Sequence, residues 1–181
     1  MSEKYKFHNE EGIYFITPTI VNWIDLFTRK VYCDIILRSL KFCQIEKGLI
    51  IHAWCIMSSH LHLIISSSGK EQLSNIVRDF KKFTSKEIIK EIQRLPDSRK
   101  DRLLRNFKEA GSKIKRITNY KVWQDGNHPV ELDSNTMLEQ RLSYIHNNPV
   151  ANGLVFRGED YCYSSAIDYC DGKGLLKIDL I

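Results

Sequence analysis

Apolar and polar positions along this chain repeat with two different periods, and the places where the period changes mark out its elements. Gly12 to Ile20 (GIYFITPTI) is rich in β-branched and aromatic residues with Pro18 late in the run, which predicts an opening strand ending near the proline. From Asp25 or Thr28, either a suitable N-cap, apolar residues return at Val31, Tyr32, Ile35, Ile36, Leu40 and Cys43. That is the spacing of an amphipathic helix, and Gly48 follows its end. Leu49 to Met57 and His60 to Ile65 are apolar again and are separated only by Ser58-Ser59, which predicts two strands joined tightly.

Beyond Glu71 the helical period returns at Leu73, Ile76, Val77, Phe80, Phe83, Ile88 and Ile92, with Arg78, Lys81, Lys82, Lys86 and Lys90 mainly between them. Pro96 ends this helix. Asp97 to Ala110 reads as a further, basic helix capped by Gly111. After a polar turn at Asp125 to Pro129, Val130 to Leu132 predicts a short last strand. Asn135 to Asn148 predicts a helix capped by Ser134 or Asn135, with Met137, Leu138, Leu142 and Ile145 facing the core and Pro149 disturbing its ladder just beyond Asn148. The order is β-α-β-β-α-β with a trailing helix. It predicts an α+β, ferredoxin-like (split βαβ) antiparallel sheet with helices on one face. A length of 181 residues suits a single domain over 1–181, with a basic helical insertion at about 95–120.

Composition changes this picture in one respect, the placement of charge. Positions 78–121 hold fifteen Lys/Arg against six Asp/Glu, while the rest of the chain holds twelve against sixteen. A one-sided field of this kind gathers polyanions, nucleic acid first among them, although a solvated lysine-rich helix face has the same composition. No apolar run is long enough to span a bilayer and the N-terminal stretch is too polar for a secretory segment, so a cytoplasmic protein with no membrane partner is expected. Five scattered cysteines without a C-x-x-C pair argue for reduced thiols, mostly in the core, over disulfides or a zinc ribbon.

Candidate chemistry lies in two stretches. His60 and His62 are two apart on a strand, so both imidazoles share one face and can grip one ion; filling the polar face of the strand is the competing reading. Tyr144 and Asn148 are four apart on a helix and can reach a common point, although a core tyrosine with a C-terminal asparagine has the same spacing. Two imidazoles and an amide oxygen would make a neutral three-ligand site with room for water or phosphate oxygens. Such a set suits Mg²⁺ or Mn²⁺ better than closed structural zinc, with histidine leaning towards Mn²⁺. A tyrosine beside it could attack a phosphodiester if nearby metal and basic groups favoured its phenolate.

Three ordered motifs, MSSHLHLI, YIHNNPVANGLV and EDYCYSSAIDY, make the chain from about Gly12 to Tyr169 resemble the single-tyrosine HUH transposases, specifically the REP-associated tyrosine transposases. The resemblance implies His60, His62 and Asn148 as ligands of a divalent ion and Tyr144 as the nucleophile. It also implies cleavage and rejoining of single-stranded or hairpin DNA through a 5′-phosphotyrosine, with release of a 3′-hydroxyl. Arg78, Lys81, Lys82, Lys113, Lys115 and Arg116 are the basic residues expected to meet the DNA. Two features depart from the family: Ser58-Ser59 stand where it often has Pro-Asn, and the basic insertion is longer than in its smallest members. The resemblance leaves room for a homodimer. A domesticated hairpin-DNA-binding protein that does not cut is the competing function, and a replication-initiating nickase a third, though such proteins commonly carry further domains.

Overall fold

Four strands, β1 (Tyr14–Ile16), β2 (Leu49–Ile56), β3 (Leu61–Ser67) and β4 (Val130–Glu131), form one sheet in the order β2-β3-β1-β4. Every neighbouring pair is antiparallel. These features come from a computed structural model, which describes residues 7–112 and 120–181. Lys113, Lys115 and Arg116, three of the expected DNA contacts, lie outside the described residues. The helices are α1 (Lys30–Lys47), α2 (Leu73–Arg94), α3 (Lys100–Ser112) and α4 (Asn135–Ala151). Strand order and connectivity together give the split βαβ, ferredoxin-like plan expected from the sequence.

The expected single covered face is corrected. Cross-strand pairing puts Trp54 with Leu63, Ile56 with Leu61 and Tyr14 with Ile65, whereas Cys55 with His62, Ala53 with Ile64 and Phe15 with Ile64 alternate with them along the strands and so point to the opposite face. The first set joins a large core with Ile36, Leu40, Ile76, Phe80 and Ile88 of α1 and α2, and Leu103 and Phe107 of α3. The second set packs under Ile145, with Leu138 and Leu142 of α4 against it. Both faces of β2 and β3 are apolar, so both need cover. Each buried Leu or Ile contributes roughly 1.5–3 kcal/mol, and α4 is the element that removes the second face from water.

Several boundaries differ from the sequence reading for local reasons. Two short 3₁₀ turns, 21–23 and 26–28, precede α1, which therefore starts at Lys30, after both expected caps. Gly48 does close α1, in the left-handed conformation at φ 74°. Phe83 is exposed, while Thr84 faces inward and accepts a hydrogen bond from the indole N–H of Trp123 at 3.0 Å. Helix α3 runs through Gly111 to Ser112. Ser134 caps α4 by accepting from Met137 N at 3.4 Å, and the helix passes Pro149 to reach Ala151, since a proline this close to the C-terminus removes a single ladder bond. Among the described residues no helix is long and apolar enough to cross a membrane.

The segment after α4 covers the outer edge of β2. Ile56 N donates to Tyr163 O and Ser165 N to Trp54 O, each at 2.9 Å, and the Tyr161 hydroxyl donates to Ile56 O at 2.9 Å. Edge groups that would otherwise be unpaired are thereby satisfied. The motif EDYCYSSAIDY thus holds α4 to the sheet. Cys33, Cys43 and Cys55 are buried and all five cysteines are free.

Candidate active site

The tight turn from Met57 to His60, closed by Met57 N donating to His60 O at 2.9 Å, starts β3 so that His60 and His62 emerge on the α4 face. Their Nε2 atoms are 3.1 Å apart. Each ring is also held from its other nitrogen: Thr17 Oγ1 lies 3.3 Å from His62 Nδ1, and Ser59 Oγ lies 3.2 Å from His60 Nδ1. The serine pair that departs from the family's usual Pro-Asn therefore supplies a hydroxyl to the first histidine. Phe15 stacks on the His62 ring at 5.7 Å.

Burial sets the charge state of the pair. Buried among Phe15, Cys55 and α4, and next to His60 and the Arg141 guanidinium, His62 is pushed down to about 3; burial lowers His60 as well. Both imidazoles are neutral at neutral pH, the form in which a nitrogen lone pair is free to bind an ion.

Helix α4 brings the third component. Tyr144 is 47% exposed, its ring centroid 5.2 Å from His62 and 6.1 Å from Phe15, both edge to face. Arg141, one turn earlier on the same face, sits over Phe15 at 5.0 Å. Asn148 lies one turn beyond Tyr144, and its side-chain hydrogen bonds stay within α4: Nδ2 donates to Tyr144 O at 3.5 Å, and Oδ1 accepts from Asn152 Nδ2 at 3.3 Å. Tyr144 and Asn148 share a surface depression of 420 Å³ with Ser143 and Asn147. Among the described residues no three His, Cys, Asp or Glu side chains gather where a metal could sit.

Of the other polar residues near these stretches, His146 turns to the C-terminal segment, its Nε2 2.9 Å from Ser165 Oγ, and Lys121 pairs with Asp125 at 2.6 Å. Arg78 and Lys82 are exposed on α2. Lys81 is largely buried and donates to Gln124 O, Gly126 O and Asn127 Oδ1 at 2.9 to 3.0 Å. Thr17, Phe15 and Arg141 carried no sequence signal, because none of them belongs to a spaced motif; only the fold brings them to the histidines, whereas Ser59 stood beside His60 in the sequence with no role readable from it.

The family model described as "Transposase IS200 like" matches residues 24–106, a stretch that includes α1, the β2–β3 hairpin with both histidines, and α2. This stretch belongs to the IS200-like transposase family. α4, with Tyr144 and Asn148, follows the IS200-like stretch in sequence and meets it in space. The solved structure of a REP-associated tyrosine transposase bound to a REP hairpin shares the fold, with a TM-score of 0.66 at 19% identity, covering 100% of this chain and 92% of that one. A Deinococcus radiodurans R1 protein assigned as a transposase is more distant, at TM-score 0.46 and 16% identity over 81% of this chain and 97% of its own. No curated protein sequence matches the chain.

Proposed function

We propose that this chain cuts and rejoins single-stranded hairpin DNA through Tyr144, with His60, His62 and Asn148 holding a divalent ion, Mg²⁺ or Mn²⁺. One observation carries the reading: a half-exposed tyrosine on α4 stands 5.2 Å from the inner member of a neutral histidine pair. The IS200-like stretch supports DNA as the substrate, and the hairpin held by the relative of like fold supports its form.

The donor set fits such an ion. Nitrogens 3.1 Å apart match the roughly 3.0 Å between neighbouring ligands of an octahedral ion with bonds of about 2.1 Å. If both Nε2 atoms bind, both protons must reside on Nδ1, and each Nδ1 has a hydroxyl oxygen to donate to, Thr17 or Ser59. Asn148, one turn beyond Tyr144 on α4, would add a neutral oxygen as the third ligand. The bound ion supplies Lewis-acid polarisation of a backbone phosphate.

In the reaction, Tyr144 Oη bonds to phosphorus as the bond from phosphorus to the 3′ oxygen of the preceding nucleotide breaks. The phenol proton passes to water and the departing 3′ oxygen takes one up, leaving a 5′-phosphotyrosine and a 3′-hydroxyl. Arg141 stands where its fixed fork of donors can hold the phosphate while the bond is exchanged. Attack by a 3′-hydroxyl on the phosphotyrosine reverses these steps and releases the tyrosine.

Labelled single-stranded hairpins, including repeats flanking the gene, incubated with Mn²⁺ or Mg²⁺ and run on denaturing gels test this reading. A slow-migrating adduct that needs the metal and vanishes in Tyr144→Phe is expected. Tight binding with no adduct under either metal would favour the competing reading, a hairpin-binding protein that does not cut.

A further inference from the structure

Trp23 is the exposed tryptophan of this chain, at 61%, whereas Trp54 and Trp123 are 0% and 4% exposed. Its flat π face is therefore open to a ligand. It stands edge to face with His60, ring centroids 5.6 Å apart, and so at the mouth of the candidate site. Its backbone is also unusual. Asn22 and Trp23 both adopt left-handed φ, 56° and 53°, in a turn with no glycine, and side chains reach that region only at a cost in strain.

The turn is held rigid around that strain. Val21 N donates to Val122 O at 2.9 Å, Ile20 N to Ser59 O at 2.9 Å and Trp23 N to Ile20 O at 3.1 Å, while Ile20, Val21 and Leu26 are buried beneath. Asn22 Nδ2 donates to Asn106 Oδ1 of α3 at 3.4 Å. Arg102, four residues earlier on that face of α3, is exposed. One turn therefore touches both His60, through the Trp23 ring, and the cationic helix α3, through Asn22.

We infer that Trp23 is a stacking platform for a DNA base next to the cleaved phosphate, with the cationic face of α3 accepting the adjoining backbone. The inference rests on the proposed reading of the site. Single strands are commonly held by a positive track combined with flat aromatic side chains, which accept any base because every base has a π face. The strained turn fixes the indole before DNA arrives, so little ordering remains to be done on binding.

The test uses Tyr144→Phe protein, so that binding is read without cleavage. Single-stranded oligonucleotides and hairpins with single-stranded flanks are expected to quench tryptophan emission saturably, because the other two indoles are shielded. In the same background Trp23→Ala should weaken binding, read by anisotropy of labelled DNA, by roughly fivefold to a hundredfold. Trp23→Phe, which keeps a flat ring, should retain most of the affinity but lose the quench. Unchanged affinity in folded Trp23→Ala, or quenching that persists in Trp23→Phe, would overturn the assignment. Adduct formation by protein with Tyr144 intact is a separate readout. Adducts with no Trp23 effect refute the platform alone, and a Trp23 effect without adducts refutes the cleavage reading alone.

Discussion

Thr17 and Ser59 bring no reactive group, yet each holds the outer nitrogen of one histidine and so orients its ring. With hydroxyl oxygens 3.3 and 3.2 Å from the two Nδ1 atoms, each imidazole has an acceptor for an Nδ1 proton when its Nε2 binds an ion. Thr17→Val keeps the shape and removes the acceptor, so Mn²⁺ affinity measured by calorimetry is expected to fall about 10- to 100-fold. An unchanged affinity would mean that Thr17 does not orient the ring. Much at this scale was readable in advance. The spacing of two in HLH fixes a shared face on a strand, and the spacing of four from Tyr144 to Asn148 does the same on a helix. Thr17 and Trp23 were not readable, because each acts as a single residue brought to the histidines by a bridge or turn, with no period to reveal it.

At the scale of elements, the sheet is covered on both faces, and the strands carried that information. Ala53, Cys55, Met57 and Ile64 are apolar on the face opposite Trp54, Ile56 and Leu63, and two apolar faces require two layers of helix. The C-terminal segment fixes the second layer. Ser165 Oγ accepts from Trp54 N at 2.9 Å and lies 2.9 Å from His146 Nε2, linking β2 to α4. Ser165→Ala orphans a buried N–H and is expected to cost about 1–3 kcal/mol in urea unfolding. No loss would show that the segment is not what ties α4 down.

Lys81 is the position where a charge pattern misled the sequence reading of its surroundings. It looks like one more surface lysine, but contacts with a loop more than forty residues away draw it inward, and burial lowers it to about 8. Asn127 O then accepts from Thr17 N at 3.4 Å, so the ammonium also steadies the strand end beside His62. A lysine depressed on folding binds its proton less well in the native state than in the unfolded chain. Its contribution to stability is therefore constant below pH 8 and increases as pH rises towards the ordinary value of 10.5. Wild type should gain stability relative to Lys81→Met between about pH 8 and 10 in paired denaturant titrations. A flat difference would contradict the shift.

For the whole molecule, charge separation should show as salt dependence. Single-strand binding releases about 0.7 counterions per phosphate contacted, so log affinity should fall linearly with log salt. Arg78 and Lys82, exposed and four apart on α2, line one depression with the loop held by Lys81. Replacing each with alanine is expected to flatten the slope by about 0.7. An unaltered slope would exclude them from the DNA path.

Tyr144 as the residue that carries the DNA is the central claim, and peptide mapping after exhaustive nuclease digestion of the protein–DNA adduct tests it most directly. The account predicts a residual nucleotide, joined through its 5′ phosphate, on the peptide containing Tyr144. Cleaved DNA with the nucleotide on a different tyrosine, or with no nucleotide on the protein at all, would contradict it.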